Sequence, residues 1–229
     1  MGQIRLAGNP EIAVTVRRSA RARRLSLRIS QLDGRVTLTL PRSVSEGEGR
    51  AFVESKADWL RKHLSKQGAV IAVGLGVRLP IEGRLHTVVA GQGRSVQRRE
   101  DQLFVPGEEC RIGARVQGYL KTLARDRLAA ASDRYAEALG RPYSRLTLRD
   151  TRSRWGSCTS DGGLMYSWRL ILGHPEVLDY VAAHEVAHLA HMNHSQAFWD
   201  QVQTLYGDWT AARKWLREHG NELHRYRFD

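Results

Sequence analysis

The most informative segment of this chain is His184-Glu185-Val186-Ala187-His188-Leu189-Ala190-His191-Met192-Asn193-His194. It begins with an H-E-x-x-H motif, in which the two histidines are four residues apart. Side chains with this spacing lie on the same face of an α-helix, so His184 and His188 can bind one metal ion together. Glu185 follows the first histidine and can take a proton from a water molecule. The motif is therefore typical of metal-dependent hydrolases.

The residues before and through the motif predict a buried helix. Pro175 and Glu176 suit a first turn, because proline there loses no hydrogen bond and a carboxylate faces the positive end of the helix dipole. From Val177 to Leu189 the sequence is apolar almost all round, which is typical of an enclosed helix. Burying histidines and a glutamate there is costly without partners. This favours a metal site over two core histidines with a surface glutamate.

A third metal ligand is needed, because catalytic zinc usually has three protein ligands and one open position. His191 and His194 are the two histidines that follow the motif closely. Asn193 tolerates the left-handed conformation that ends helices, and a chain that turns there can bring His194 back to the metal. We prefer His194, with His191 facing solvent or supporting a ligand. Cys158 is a further alternative as a thiolate ligand, although a buried structural thiol is the commoner role.

Length and composition are those of a globular protein. The 229 residues, 41% hydrophobic and 26% charged, suffice for one large or two small domains. We find no signal-peptide pattern and no apolar run long enough to cross a bilayer, so no membrane association is expected. Cys110 and Cys158 are too few for a disulfide framework. These features together predict a cytoplasmic protein.

The positive charge lies mainly in the first half of the chain. Residues 1–106 contain 19 Lys and Arg against 9 Asp and Glu, whereas residues 107–229 contain 17 against 15. The densest cluster, residues 17–24, reads Arg-Arg-Ser-Ala-Arg-Ala-Arg-Arg. Such a cluster can bind nucleic acid or another acidic partner, or it can be a solvated loop between strands. Because no aromatic residue lies among these arginines, nucleic-acid binding is the less favoured interpretation.

The first half of the chain predicts a basic, mainly antiparallel β domain with one helix, over residues 1–108. Alternating apolar residues predict strands at 25–29 and 36–40, joined into a hairpin by a turn at Asp33-Gly34. Ser45 and Glu48 match a capping box, which predicts a helix over about 46–65. Short strands separated by glycines follow, and their predicted ranges are 69–77, 85–90, 95–98 and 103–106.

The second half, residues 109–229, predicts an α+β domain. Spaced apolar residues from Val116 onwards predict a long helix that ends at Gly140. Strands are predicted at 146–149 and 164–172. After the metal motif, one helix is predicted to end at Gly207, and the last helix to run from Asp208 to Gly220.

Several segments resemble a known family, the YgjP-like zinc metallopeptidases, which are related to SprT-like and WLM domains and to the minigluzincins. The resemblance is carried by Arg154-Trp155-Gly156-Ser157-Cys158, Trp168-Arg169-Leu170, and the metal motif running into Asn193-His194-Ser195 and Phe198-Trp199. More loosely, residues 16–21 and 24–28 are also similar. The resemblance implies a zincin-like, minigluzincin-type α+β catalytic domain, with a backing helix, a short sheet with an edge strand beside the cleft, and the active-site helix. It also implies His194 as the third ligand.

The combined prediction is a zinc metallopeptidase that cleaves a peptide or protein substrate. Zinc is held by His184, His188 and His194, with Glu185 as the general base, and nickel or another divalent metal is an alternative. Two other functions stay open, namely hydrolysis of a non-peptide amide and a DNA-associated, SprT-like protease. Side chains that could line the cleft or bind the oxyanion are Arg154, Trp155, Tyr166, Trp168, Arg169 and Tyr206.

Overall fold

The computed structural model describes residues 2–8, 10–30, 34–64 and 69–229. The chain divides into two compact units, Met1–Ala69 and Val70–Asp229. Both units combine helices with strands, so the predicted α+β class is confirmed. The division comes earlier than the predicted boundary at residue 108, because the buried side chains between Val73 and Val105 belong to one hydrophobic core with the helices that follow them. That residues 109–229 alone carry the catalytic function stays a prediction.

The first unit is a four-stranded sheet with two helices. The strands are β1 (Gly2–Leu6), β2 (Ile12–Ser19), β3 (Ser26–Ile29) and β4 (Val36–Pro41), in the order β1-β2-β4-β3. β2 and β4 are parallel, whereas β1 pairs antiparallel with β2, and β3 pairs antiparallel with β4 as the predicted hairpin requires. Asp33, in the predicted hairpin turn, lies outside the described residues.

The helical part of the first unit differs from the single helix predicted for 46–65. It consists of α1 (Glu46–Ser55) and α2 (Ala57–Leu64), with Lys56 between them. The predicted capping box is present at the start of α1, where the Ser45 hydroxyl accepts from the Glu48 amide and the Glu48 carboxylate accepts from the Ser45 amide. Alternate strand residues such as Val14 and Leu38 share a core with Val53 and Leu60 of the helices.

The second unit begins with strands that precede its longest helix. The elements are β5 (Ile71–Ala72), β6 (Arg78–Ile81), β7 (Arg84–Ala90), β8 (Gln97–Arg99), β9 (Gln102–Val105) and α3 (Ile112–Leu139). Strands β6 to β9 form a sheet in the order β6-β7-β9-β8. The long helix ends at Gly140, as predicted, because glycine adopts the left-handed conformation there, with φ of 68°.

The rest of the second unit surrounds the metal motif. Its elements are β10 (Arg145–Arg149), β11 (Gly156–Cys158), β12 (Gly163–Ser167), α4 (Pro175–Ala187), α5 (Gln196–Tyr206), α6 (Thr210–His219) and β13 (Tyr226–Arg227). β12 lies between β10 and β11, which makes β11 an edge strand. The strand predicted for 164–172 stops at Ser167, because Trp168–Leu172 form a 3-10 helix.

Helix α4 is enclosed, as its apolar sequence predicted. It contacts α3 on one side and α5, α6 and β11 on others. Nine of its thirteen residues are buried, including Ala182, Ala183 and Val186, which are fully inaccessible to solvent. In the ranges given above, no helix has both the length and the apolar character to cross a membrane.

Candidate metal centre

Three imidazole rings converge at the C-terminal end of α4. His184 lies in the helix, His188 is its C-cap, and His194 lies in the loop before α5. The potential ligand nitrogens of the three residues all lie within 4.8 Å of one another. The chain leaves the helix at His188 through a series of turns, somewhat before Asn193, where the sequence predicted the change of direction. The loop then returns His194 to the helix face.

Hydrogen bonds define which nitrogen of each ring faces the shared space. His188 Nδ1 lies 2.9 Å from the His191 carbonyl oxygen, so this nitrogen carries the proton and the lone pair is on Nε2. Nε2 of His184 and Nε2 of His194 lie 3.1 Å apart. In the absence of a cation one of these nitrogens can donate its proton to the other, and a cation in the shared space can instead accept both lone pairs. The donor set therefore fits a divalent metal with three nitrogen ligands.

The two alternative ligands lie elsewhere. His191 contributes its backbone carbonyl to His188 and is not part of the group of converging side chains found in the described part of the chain. Cys158 lies on β11, where its thiol donates to the Thr159 carbonyl at 3.5 Å. Burial, followed by the charge of Glu185, raises the pKa of this thiol to about 11. A thiol with so high a pKa is a poor thiolate ligand.

Burial keeps His184 and His188 in the neutral form that binds metals. Desolvation, followed by the charges of His188 and His194, lowers the pKa of His184 to about 3. The pKa of His188 is also lowered, mainly by burial, although its hydrogen bond to His191 opposes the shift. Because metal ions compete with protons for imidazole nitrogens, low pKa values favour metal binding at neutral pH.

Glu185 is buried between α4 and the edge strand β11. A methyl group at Gly156 would lie 2.5 Å from Glu185 Oε1, so glycine alone leaves room for the carboxyl group. Burial raises the pKa of Glu185 to about 8, and the charge of Arg154 partly opposes this rise. A carboxyl group with a pKa in this range can exchange protons near neutral pH.

Aromatic residues of α5 hold the histidine rings in place. Phe198 stacks on His188 with ring centroids 4.4 Å apart, and Trp199 stacks on His194 at 5.8 Å. Phe198 is fully buried, whereas Trp199 is partly exposed. Phe198 and Trp199 carry part of the family resemblance, but no local pattern in the sequence indicates these ring contacts.

Three of the predicted cleft residues are in the core, which corrects that prediction. Tyr166 and Trp168 are almost completely inaccessible, and the Tyr166 hydroxyl shares a 3.0 Å hydrogen bond with Ser132 Oγ. Arg169 is also buried and donates two hydrogen bonds to Asp150, at 2.6 and 3.0 Å. A buried guanidinium needs such partners, and none of these three side chains is free to meet a substrate.

The other three residues predicted to line the cleft or bind the oxyanion, Arg154, Trp155 and Tyr206, differ in their exposure and contacts. Arg154 is exposed, and its charge acts on Glu185. Trp155 is half-buried against His224, with ring centroids 5.2 Å apart. The Tyr206 hydroxyl donates to the Glu176 carbonyl at 2.9 Å, which gives it a structural role.

Comparison with known proteins gives one family match. A family model described as YgjP-like, metallopeptidase domain, matches residues 23–219, which include all three histidines and Glu185. Among solved structures, the metallopeptidase zymogen of Pyrococcus abyssi abylysin is similar to this chain, with 18% sequence identity and a TM-score of 0.36. The similarity covers 41% of this chain and 92% of that one. Among curated proteins we find no match.

Proposed function

The chain belongs to the YgjP-like metallopeptidase family, and from this we propose that it is a peptidase whose zinc ion is held by His184, His188 and His194. The observation that carries the proposal is the convergence of these three imidazoles within 4.8 Å. Membership of a metallopeptidase family implies a divalent metal. Three nitrogen ligands with one open position are typical of catalytic zinc, and nickel or another divalent metal is the alternative.

The chemistry assigned to the protein itself is proton transfer by Glu185. A zinc ion supplies Lewis acidity, which acidifies water and polarises a carbonyl oxygen. Glu185 takes the proton of the attacking water and later gives it to the leaving amine. Its position next to His184 in the sequence and its burial against β11, which raises its pKa to about 8, support this role.

The edge strand β11 supports a peptide as the substrate. The Trp155 carbonyl accepts from Ser167, and the Thr159 amide donates to the Gly163 carbonyl, both across the pair with β12. Hydrogen bonding alternates along an antiparallel strand, so the backbone groups of Gly156 and Cys158 point away from β12. An extended peptide can pair with these groups next to Glu185.

We expect the zinc-loaded protein to cleave peptides and to lose this activity when a chelator removes the metal. The measurement is cleavage of a mixed peptide library, in parallel with a set of small amides. The His194→Ala variant, purified without a histidine tag, is the matched control, because loss of one ligand should lower both its metal content and its activity. Hydrolysis of small amides without peptide cleavage would reject the peptidase in favour of an amidase.

We also propose an acidic partner for the first unit, with nucleic acid as the case to test. Residues 1–69 contain 14 Lys and Arg against 6 Asp and Glu, whereas residues 70–229 contain 22 against 18. Strands β1 to β4 contain no acidic residue, and Arg17 and Arg28 are exposed on them. We expect DNA binding that weakens steeply with salt and that Arg17→Gln with Arg28→Gln reduces. Binding indifferent to salt would reject this partner.

A further inference from the structure

Tyr180 lies beside the candidate metal centre, and its hydroxyl group has no role in the metal binding or proton transfer proposed above. It precedes His184 by four residues on α4, so the two side chains share a helix face. Their ring centroids are 5.9 Å apart, and the Tyr206 ring lies 5.8 Å from Tyr180 on another side. Tyr180 is only 5% exposed.

The hydroxyl of Tyr180 has no hydrogen-bond partner among the side chains and backbone groups that the structure describes. The hydroxyl oxygen is not completely inaccessible, so it keeps some contact with solvent. Water at the surface is therefore the partner that remains open to this hydroxyl. Such a group is available to hydrogen-bond a ligand that enters from the surface.

Arg213 supplies a positive charge to the same region. It lies on α6, with its guanidinium carbon 4.8 Å from the Trp199 ring centroid and 5.3 Å from that of Trp209. Contacts with two indole rings restrain a guanidinium without neutralising it. Trp199 also meets the His184 ring at 5.6 Å, so Arg213 is one side chain away from the metal ligands.

Arg213 differs from the arginines that are held in ion pairs. Several arginines of the second unit have carboxylate partners, as Arg134 has Asp179 and Arg145 has Asp161. Arg213 has none in the part of the chain that the structure covers, and it is exposed. The charge of Arg213 acts on both the Tyr180 hydroxyl and the His184 ring, so the guanidinium lies in the same region as these two groups.

We propose that Tyr180 and Arg213 form a carboxylate-binding subsite beside the metal centre, and that the substrates carry a free carboxylate near the scissile bond. This inference rests on the proposed peptidase function and specifies its substrate class. The guanidinium contributes charge and two parallel N–H donors, and the hydroxyl contributes one O–H donor. The carboxylate is either the C-terminus of a peptide or the side chain of Asp or Glu.

The test measures binding without turnover, in the zinc-loaded full chain carrying Glu185→Gln. The first pair of probes is acetyl-Leu-Leu as the free acid and as the C-terminal amide. The second pair is acetyl-Leu-Glu amide and acetyl-Leu-Gln amide, and calorimetry gives each affinity. A preference within the first pair identifies a C-terminal carboxylate, and one within the second pair identifies an acidic side chain.

We expect the carboxylate form of one pair to bind about 10-fold to 100-fold more tightly, as for a hydrogen bond to a charged group. Arg213→Gln should abolish this preference and Tyr180→Phe should reduce it several-fold. Arg217→Gln, one turn further along α6 and also exposed, is the matched control and should keep it.

Two results would contradict the proposal that Tyr180 and Arg213 bind a carboxylate. One is equal binding of both members of each pair, and the other is a preference that persists in Arg213→Gln, as it would if the carboxylate bound only to the ion. Neither depends on hydrolysis. Failure of the peptidase function would appear separately, as the absence of peptide cleavage by the chain with Glu185 intact.

Discussion

Replacing Glu185 with glutamine is expected to leave the metal content unchanged and to lower kcat by about 100-fold to 10,000-fold, the usual contribution of a general base. Glutamine has nearly the same shape as glutamate, so it fits the space beside Gly156. Its amide cannot take the proton of the attacking water. The measurement combines elemental analysis with kcat on any peptide that the zinc-loaded protein cleaves.

The control for this variant is Glu176→Gln, which removes a carboxylate from the exposed first turn of the same helix. It should retain the activity of the unchanged protein. If Glu185→Gln cleaves peptides as fast as that control, another group is the base. If Glu185→Gln instead loses its metal, Glu185 has a structural role at the site that the proposed mechanism does not include.

Replacing Gly156 with alanine is expected to lower kcat by about 100-fold while the protein still binds one metal ion. The added methyl group would lie 2.5 Å from Glu185 Oε1 and 2.6 Å from its Cγ, so the carboxyl group must move. A displacement of about 1 Å of a reacting group can cost a factor of this size. The three histidines are not touched by the change.

Gly118→Ala is the matched control for this second prediction, because a methyl group at Gly118 meets nothing within 4 Å. Circular dichroism establishes that both variants fold, and elemental analysis gives their metal content. A Gly156→Ala protein with full kcat would mean that the carboxyl group does not need its position against β11. A folded variant without metal would mean that β11 shapes the ligand site itself.

The parts of the site that could be predicted are those encoded locally. The i, i+4 spacing of His184 and His188 specifies a shared helix face, and the apolar run before them specifies a buried helix. The same spacing relates His184 to Tyr180, four residues earlier on the same face. The convergence of His194 required only that the chain turn within a few residues.

The parts that could not be predicted depend on contacts between distant segments. Trp168 and Arg169 belong to a motif near the metal residues in sequence, but their burial is decided by packing against Phe228 and Asp150. The role of Gly156 depends on a strand lying against a helix almost thirty residues later. Likewise, the early strands join the second unit because of their shared core, which no local pattern reveals.

The last residues of the second unit have a consequence for biosynthesis. Buried Arg169 donates to the carbonyl oxygens of Leu223 and Tyr226, both at 3.0 Å, while β13 pairs with β5 and Phe228 is buried. Until the ribosome has released residues 223–228, this guanidinium lacks two of its acceptors and β5 lacks its neighbour. The metal-binding unit therefore reaches its native packing only after translation has passed this segment, and a nascent chain stalled before it should remain sensitive to proteases.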